Sequence, residues 1–278
     1  MTSFPIQTAA EGYELAGTLT LTAPPAPPVA EPLRIGLHCI PADIQTDLRD
    51  YPGLRAYRHF GKDTGDADSL PELPDVKTDP VWLALAKFPN CRILLSWKDD
   101  VEQLESWLPT LDRDIWLTWY HEPNGNVDPA RYRTTARRMV QIINASPNRH
   151  RILGNGPIVP RYWLVENGGD PQLFWYEGAT YYGVDSYNDG QAYKIREMVD
   201  PAVALATRFG CDTLLGEWGA EQSIDDPSDE LRAAATRSTV SYARTKPQVK
   251  AMMWWNKGGD RLTKAPTKPS LQGVINSQ

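Results

Sequence analysis

The chain has 278 residues, a formal net charge of −6 and a sequence pI near 5.3. That balance argues against nucleic acid or an anionic membrane surface as a partner, and no apolar run approaches the roughly 20 residues of a transmembrane helix. The length admits two ordinary domains or one larger unit, since α/β barrels run to about 250 residues.

The first 32 residues differ from the rest. Tyr13, Leu15, Leu19 and Leu21 alternate with Glu14, Thr18, Thr20 and Thr22, a period of two that predicts one strand. Pro24-Pro-Ala-Pro-Pro28 and Glu31-Pro32 follow, a stiff extended spacer that cannot pair inside a sheet. Residues 1–32 are therefore expected to be an extension lying on a barrel of residues 33–278, or the tail of a linker. The amino terminus, Met1-Thr-Ser-Phe-Pro-Ile-Gln, has neither a basic n-region nor an apolar h-region, so no signal peptide is visible.

From Leu33 a short apolar strand, a polar loop and an amphipathic helix recur. Strands are predicted at Leu33–Ile40, Leu54–Phe60, Arg92–Trp97, Ile115–His121, Arg151–Asn155, Ala179–Tyr187, Thr213–Trp218 and Val249–Asn256. Helices are predicted at Val81–Phe88, Val101–Leu111, Pro129–Ala145, Ile195–Phe209 and Ser228–Lys246. The fifth helix looks reduced to Pro171–Trp175 and the last to Ser270–Ile275. Eight strands without alternation, mostly separated by helices, indicate a buried parallel sheet and hence an α/β (β/α)8 TIM barrel. No Gly-rich phosphate fingerprint follows the first strand, where Gly36-Leu-His-Cys-Ile-Pro41 stands, which disfavours a nucleotide-binding doubly wound sheet. Cys39, Cys91 and Cys211 lack disulfide-framework or metal-ligand spacing and are expected to be buried free thiols.

In such a barrel, function collects at the carboxyl ends of the strands. The fourth strand, in Ile115-Trp-Leu-Thr-Trp-Tyr-His-Glu-Pro-Asn-Gly125, leaves Glu122 at its end beside His121 before Pro123-Asn124-Gly125 turns the chain. A carboxyl ringed by Trp116, Trp119 and Tyr120 is partly desolvated, which raises its pKa and suits a general acid. A lone strand-end Glu is more often half of a surface ion pair, but Leu214-Leu-Gly-Glu-Trp-Gly219 presents a second, Glu217. Further strand ends offer His38, Arg58, His59, Trp97, Lys98, Asp185, Tyr187, Asn188, Trp218, Trp254, Trp255 and Asn256. Two carboxylates, aromatic rings and hydrogen-bonding groups are what a sugar site needs. The four His residues form neither HxH nor HExxH, and no G-x-S-x-G elbow occurs, so neither a metal, a cofactor nor a Ser nucleophile is expected. Trp82, Trp107 and Trp116 read as packing. The crowd Tyr162, Trp163, Phe174, Trp175 and Tyr176 reads as a cover where the fifth helix is reduced, or as an extension of the cleft.

Glu122 ending strand four and Glu217 ending strand seven resembles the arrangement of clan A glycoside hydrolases. His121-Glu122-Pro123 is most similar to family 26, the family of endo-β-1,4-mannanases with some glucanases and xylanases. Leu95-Ser-Trp-Lys98, Gly183-Val-Asp-Ser-Tyr-Asn188, Gly216-Glu-Trp-Gly219 and Met253-Trp-Trp-Asn256 agree with it. The resemblance implies a retaining endo-β-glycosidase acting on a mannan- or glucan-type polysaccharide, with Glu122 as acid/base and Glu217 as nucleophile. It further implies that His121 shapes the site, Tyr187 hydrogen-bonds the nucleophile and Trp255 floors the sugar. Trp97, Arg58, Trp218 and Asn124 complete the expected substrate-binding set. The family's mannanases place a Trp soon after the acid/base, whereas Asn124-Gly-Asn-Val-Asp-Pro129 has none, a departure that bears on mannan specificity more than on chemistry. A polysaccharide substrate implies an extracellular or virion-associated protein. The alternatives are a depolymerase of a bacterial envelope glycan and a barrel that binds glycan without cleaving it.

Overall fold

The computed structural model describes residues 3–6, 9–10, 13–14, 17–20, 32–38, 44–61, 72–188, 193–221, 225–255 and 267–277. Its contacts divide the chain into a unit of residues 1–31 and a unit of residues 32–278. In the smaller unit Ser3–Ile6 pairs antiparallel with Gly17–Thr20, and Ala9–Ala10 with Tyr13–Glu14. The single strand expected from the alternation after Tyr13 is thus corrected to two short segments with separate partners; alternation reports a half-buried pleat but says nothing of pairing.

The larger unit is a (β/α)8 barrel. Its strands, numbered first to eighth, are Arg34–His38, Ala56–His59, Arg92–Trp97, Ile115–Trp119, Ile152–Asn155 continued by Ile158–Pro160, Tyr181–Asn188, Asp212–Ala220 and Val249–Trp255. All neighbours pair in parallel, and the eighth strand returns to the first. The fifth strand is broken at Gly156-Pro157. Its first half pairs with the fourth strand and its second half with the sixth. Single bonds stitch the break: Gly156 N donates to Leu117 O at 3.2 Å and Gly183 N to Pro157 O at 2.8 Å. A Cβ on Gly156 would lie 1.9 Å from Tyr181 O, so the sixth strand can approach there only because the residue has no side chain.

Two hydrophobic clusters show which way each side chain faces. Ala56, Leu94, Trp116, Ile158, Tyr181, Leu214, Ala251 and Met253 form one cluster. It draws on seven strands and no helix, so it is the inside of the barrel. The alternate residues Ile93, Leu95, Trp97, Ile115, Leu117 and Trp119 belong to the larger core between sheet and helices. That outer layer is Ile44–Asp50, Pro80–Leu85, Leu104–Trp107, Pro129–Ala145, Arg161–Val165, Ile195–Phe209, Glu230–Arg244 and Thr267–Asn276, hereafter α1 to α8.

Boundaries of α4 and α6 match the sequence reading. Helix α1 escaped it because only Ile44 and Leu48 are apolar, a single i,i+4 pair where a stripe of several turns is needed. The continuous helix expected at Val101–Leu111 is instead a 3-10 turn, one α turn around Leu104–Trp107 and a second 3-10 turn containing Pro109. Proline lacks the N–H an α-helix interior requires. Arg161–Val165 was also missed, the reduced fifth helix having been placed at Pro171–Trp175, which forms only the 3-10 turn Pro171–Leu173. Cys91 is buried but Cys211 is half-buried, and Cys39, Ile40 and Asn256 lie outside the described residues. No helix among the described residues is long and apolar enough to cross a membrane.

Candidate active site

Glu217 faces the barrel mouth because the seventh strand breaks its own alternation. Leu214 belongs to the inside cluster and Leu215 to the outside core. Strict alternation would then send Glu217 outward. Instead the register slips: Val184 pairs with Leu215 but Asp185 with Glu217, and a second shift lies between Leu215 and Trp218 against the eighth strand. Gly216 is the extra residue of a bulge. Beyond it Trp218 joins the outside core, leaving Glu217 on the inner face with 6% exposure. The Tyr187 hydroxyl donates a hydrogen bond to Glu217 Oε2, which favours the carboxylate form.

Glu122 is placed by a different break. The fourth strand, predicted to run to His121, ends at Trp119, because Tyr120 and Glu122 take left-handed backbone at φ 54° and 52°. Such conformations cost non-glycine residues about 1–3 kcal/mol each and persist only when held. Tyr120 N donates to Trp97 O at 2.8 Å and Glu122 N to Ile158 O at 2.8 Å. Glu122 O accepts from Asn126 Nδ2 at 2.9 Å. Burial raises the Glu122 pKa above the usual carboxylate range, with Arg58 and Lys98 opposing it. Both glutamates act on Lys98, whose own pKa is lowered by desolvation, and both act on Asp185. The two carboxyls therefore share one mouth.

Beneath them sits a polar layer. Arg58 is fully buried, and its guanidinium nitrogens make no hydrogen bond among the described residues. It lies 4.6 Å from the centroid of the Phe60 ring. Asp185, 2% exposed, has its pKa pushed well above the carboxylate range by burial and then by the charge on Glu217, against the pull of Arg58 and the Glu217 amide. Burial pushes the Glu122 and Asp185 carboxyls in the same direction, toward protonation, while the Tyr187 hydroxyl favours the ionised form of Glu217.

Aromatic rings from the ends of the first, second, fourth and eighth strands pack together. His38 stacks on Trp255 with ring centroids 4.2 Å apart, and Phe60 meets His38, His121 and Trp255 edge-on at 4.8, 4.7 and 5.8 Å. His38 Nδ1 lies 3.1 Å from Arg58 O. Burial, and then Arg58 and Lys98, lower the His121 pKa well below its usual value, so the ring beside Glu122 is neutral. His59 points outward instead, its Nε2 3.2 Å from Asp79, the N-cap of α2.

Of the residues singled out in the sequence, Glu122, Glu217, His121, Tyr187, Arg58 and Trp255 converge on this mouth. Asn124 sits on the loop leaving Glu122. Trp97 and Trp218 do not offer a ring to a sugar: at 0% and 1% exposure they are packed in the core outside the sheet. Phe60 was missed as a site residue, and Lys98, read as a strand end, was left out of the expected substrate-binding set. The inward parity of Lys98, two residues after Ser96, was the available signal; Phe60 gave none beyond its place at a strand end. Residues 39–43, 62–71, 189–192, 222–224 and 256–266, all following carboxyl ends of strands, lie outside the described residues. Among the described residues no group of three His, Cys, Asp or Glu could hold a metal ion.

The sequence matches no protein-family model and no curated protein. Solved structures resemble its fold. An endo-β-1,4-glucanase from Xanthomonas axonopodis pv. citri is 11% identical with a TM-score of 0.54, covering 88% of this chain and 99% of its own. The tri-modular GH5 (subfamily 4) endo-β-1,4-glucanase from Bacillus licheniformis is 16% identical with a TM-score of 0.56, covering 89% and 60%. A GH128 (subgroup VII) oligosaccharide-binding protein from Cryptococcus neoformans is 10% identical with a TM-score of 0.53, covering 88% and 94%. Identities this low speak for the fold alone: a TIM barrel of the kind found in glycoside hydrolases.

Proposed function

We propose that residues 33–278 form a retaining endo-β-glycosidase of the clan A type, acting outside the cell or on a virion on a mannan- or glucan-type polysaccharide. The observation that carries this reading is the pair of glutamates at one mouth, Glu217 held by Tyr187 and Glu122 raised by burial. Glu217 attacks the anomeric carbon while Glu122 gives its proton to the departing glycosidic oxygen, leaving a glycosyl ester on Glu217. Glu122, now ionised, takes a proton from water as that water attacks the same carbon, and Glu217 leaves as carboxylate. The His–Glu–Pro sequence at Glu122 favours family 26 within the clan. Fold analogy by itself cannot supply a function, so the reading rests on this pair.

The test is release of reducing sugar from a panel of mannans, mixed-linkage glucans and xylans, followed by proton NMR of the first anomer released. A retaining enzyme gives the β anomer first, and α product would overturn the mechanism. The second reading, a barrel that binds glycan without cleaving it, draws on the likeness to an oligosaccharide-binding protein. It predicts binding without turnover, unaffected by Glu217→Ala.

A further inference from the structure

We propose that Lys98 binds a carboxylate on the sugar at the point of cleavage, so that the glycan is a β-linked polyuronate, the C6-oxidised counterpart of a mannan or a glucan. The inference rests on the proposed roles of Glu122 and Glu217 and names the substrate class for that same pair. Lys98 directly follows the third strand and Trp97, whose carbonyl accepts from the Tyr120 amide at 2.8 Å. Leu95 and Trp97 pack in the core outside the sheet, so Ser96 and Lys98, of the opposite parity, face the mouth. The charge on Lys98 acts on both glutamates, and its Nζ lies 5.0 Å from the centroid of the Tyr120 ring.

The ammonium group is left unpaired. Lys98 is half-buried, yet among the described residues it forms neither a hydrogen bond nor an ion pair. The acids next to it in the chain are engaged elsewhere. Asp99 accepts from Asp100 N at 2.7 Å and from Gln103 Nε2 at 2.6 Å, and Asp100 accepts from Glu102 N at 3.0 Å. A partly desolvated ammonium has three donors, and a carboxylate is the acceptor that also cancels its charge. Glu122 does not fill that role, because a general acid must carry its proton when substrate arrives. Glu217 faces a second cation as well, Arg58, whose guanidinium makes no hydrogen bond among the described residues. With Asp185 pushed toward protonation, an incoming carboxylate evens the balance of charge at the mouth. The sugar being cleaved lies between the two glutamates. A hexuronate carries its charge on C5, one carbon outside that ring, where a neutral mannan or glucan offers only a hydroxymethyl group.

The experiment compares hexamers of β-1,4-mannuronate and β-1,4-glucuronate with the same hexamers after carboxyl reduction, which turns them into the matching mannan and glucan oligomers. Wild-type kcat/KM should favour one uronate over its reduced form by about tenfold or more. The favoured uronate names the configuration at C2. Lys98→Met should abolish most of that preference, whereas Lys98→Arg, which keeps the charge, should retain part of it. A lysine that only tunes Glu122 changes both substrates alike, and an unchanged ratio in Lys98→Met overturns the proposal while leaving the proposed enzyme intact. A wild-type protein that cleaves the reduced hexamers as well as the uronates, or better, overturns it without any variant. If none of the four is cleaved, calorimetric binding decides. Binding of a uronate about tenfold tighter than of its reduced form, lost in Lys98→Met, upholds the carboxylate site without the enzyme. Equal binding, or none, overturns the site.

Discussion

Gly216→Ala is the sharpest test of how Glu217 is positioned. The backbone of Gly216 does not occupy the left-handed region, so a Cβ there is limited by space alone. The space is missing: the added carbon would lie 2.7 Å from Asp185 Oδ1 and 2.9 and 3.2 Å from Ile158 Cδ1 and Cγ2. The Ile158 methyls can give by a few tenths of an ångström, but Asp185 is buried on the neighbouring strand. Overpacking of this kind costs about 1–3 kcal/mol. For a unit of this size that lowers Tm by about 2–4 °C per kcal/mol, hence by several degrees. Activity should suffer far more, because the bulge carries Glu217, and misplacing a reacting group by about 1 Å can cost about 100-fold. The assay is calorimetric Tm beside kcat on the preferred polysaccharide, repeated in an Ile158→Ala background. There the Gly216→Ala penalty in Tm should shrink, since two of the three contacts are gone, while the loss in kcat persists. A Gly216→Ala protein with wild-type Tm and wild-type kcat would refute the bulge as the device that aims Glu217.

The alkaline limb of the kcat/KM profile should report Glu122. Lys98 favours its carboxylate form, so Lys98→Met should move that limb to higher pH; a shift downward would detach Glu122 from the acid role. Asp229 and Arg232 form a buried pair through Nε to Oδ1 at 2.6 Å and Nη2 to Oδ2 at 3.0 Å, while Arg232 also donates to Ala220 O at 3.2 Å. Asp229→Ala strands that cation at the exit of the seventh strand. It should cost about 3–5 kcal/mol, read as a Tm fall of roughly 10 °C; a fall of only a degree or two would mean solvent reaches Arg232.

The barrel was legible because burial on both faces gives strands a signature that needs no partner to be read. Arg92–Trp97 and the helices Pro129–Ala145 and Ile195–Phe209 follow from apolar runs, caps and period alone. What stayed hidden is what pairing decides. The break at Gly156-Pro157 exists because a parallel neighbour needs the room, and the two short pairs before Pro24 exist because one segment found another. The trio Phe60, Lys98 and Gly216 makes the same point inside the site. The sequence marks Glu122 and Glu217 by their neighbours, yet neither is delivered by a regular strand. Alternation counted from Leu214 sends Glu217 into the helix layer, and only the register shift at Gly216 returns it to the mouth. The fourth strand stops three residues before Glu122, and two left-handed residues carry the chain the rest of the way. Local rules are expected to fail where function overrides them. Here both failures fall on the residues that two short motifs had already singled out, so the irregularities are the means by which the motifs reach one another.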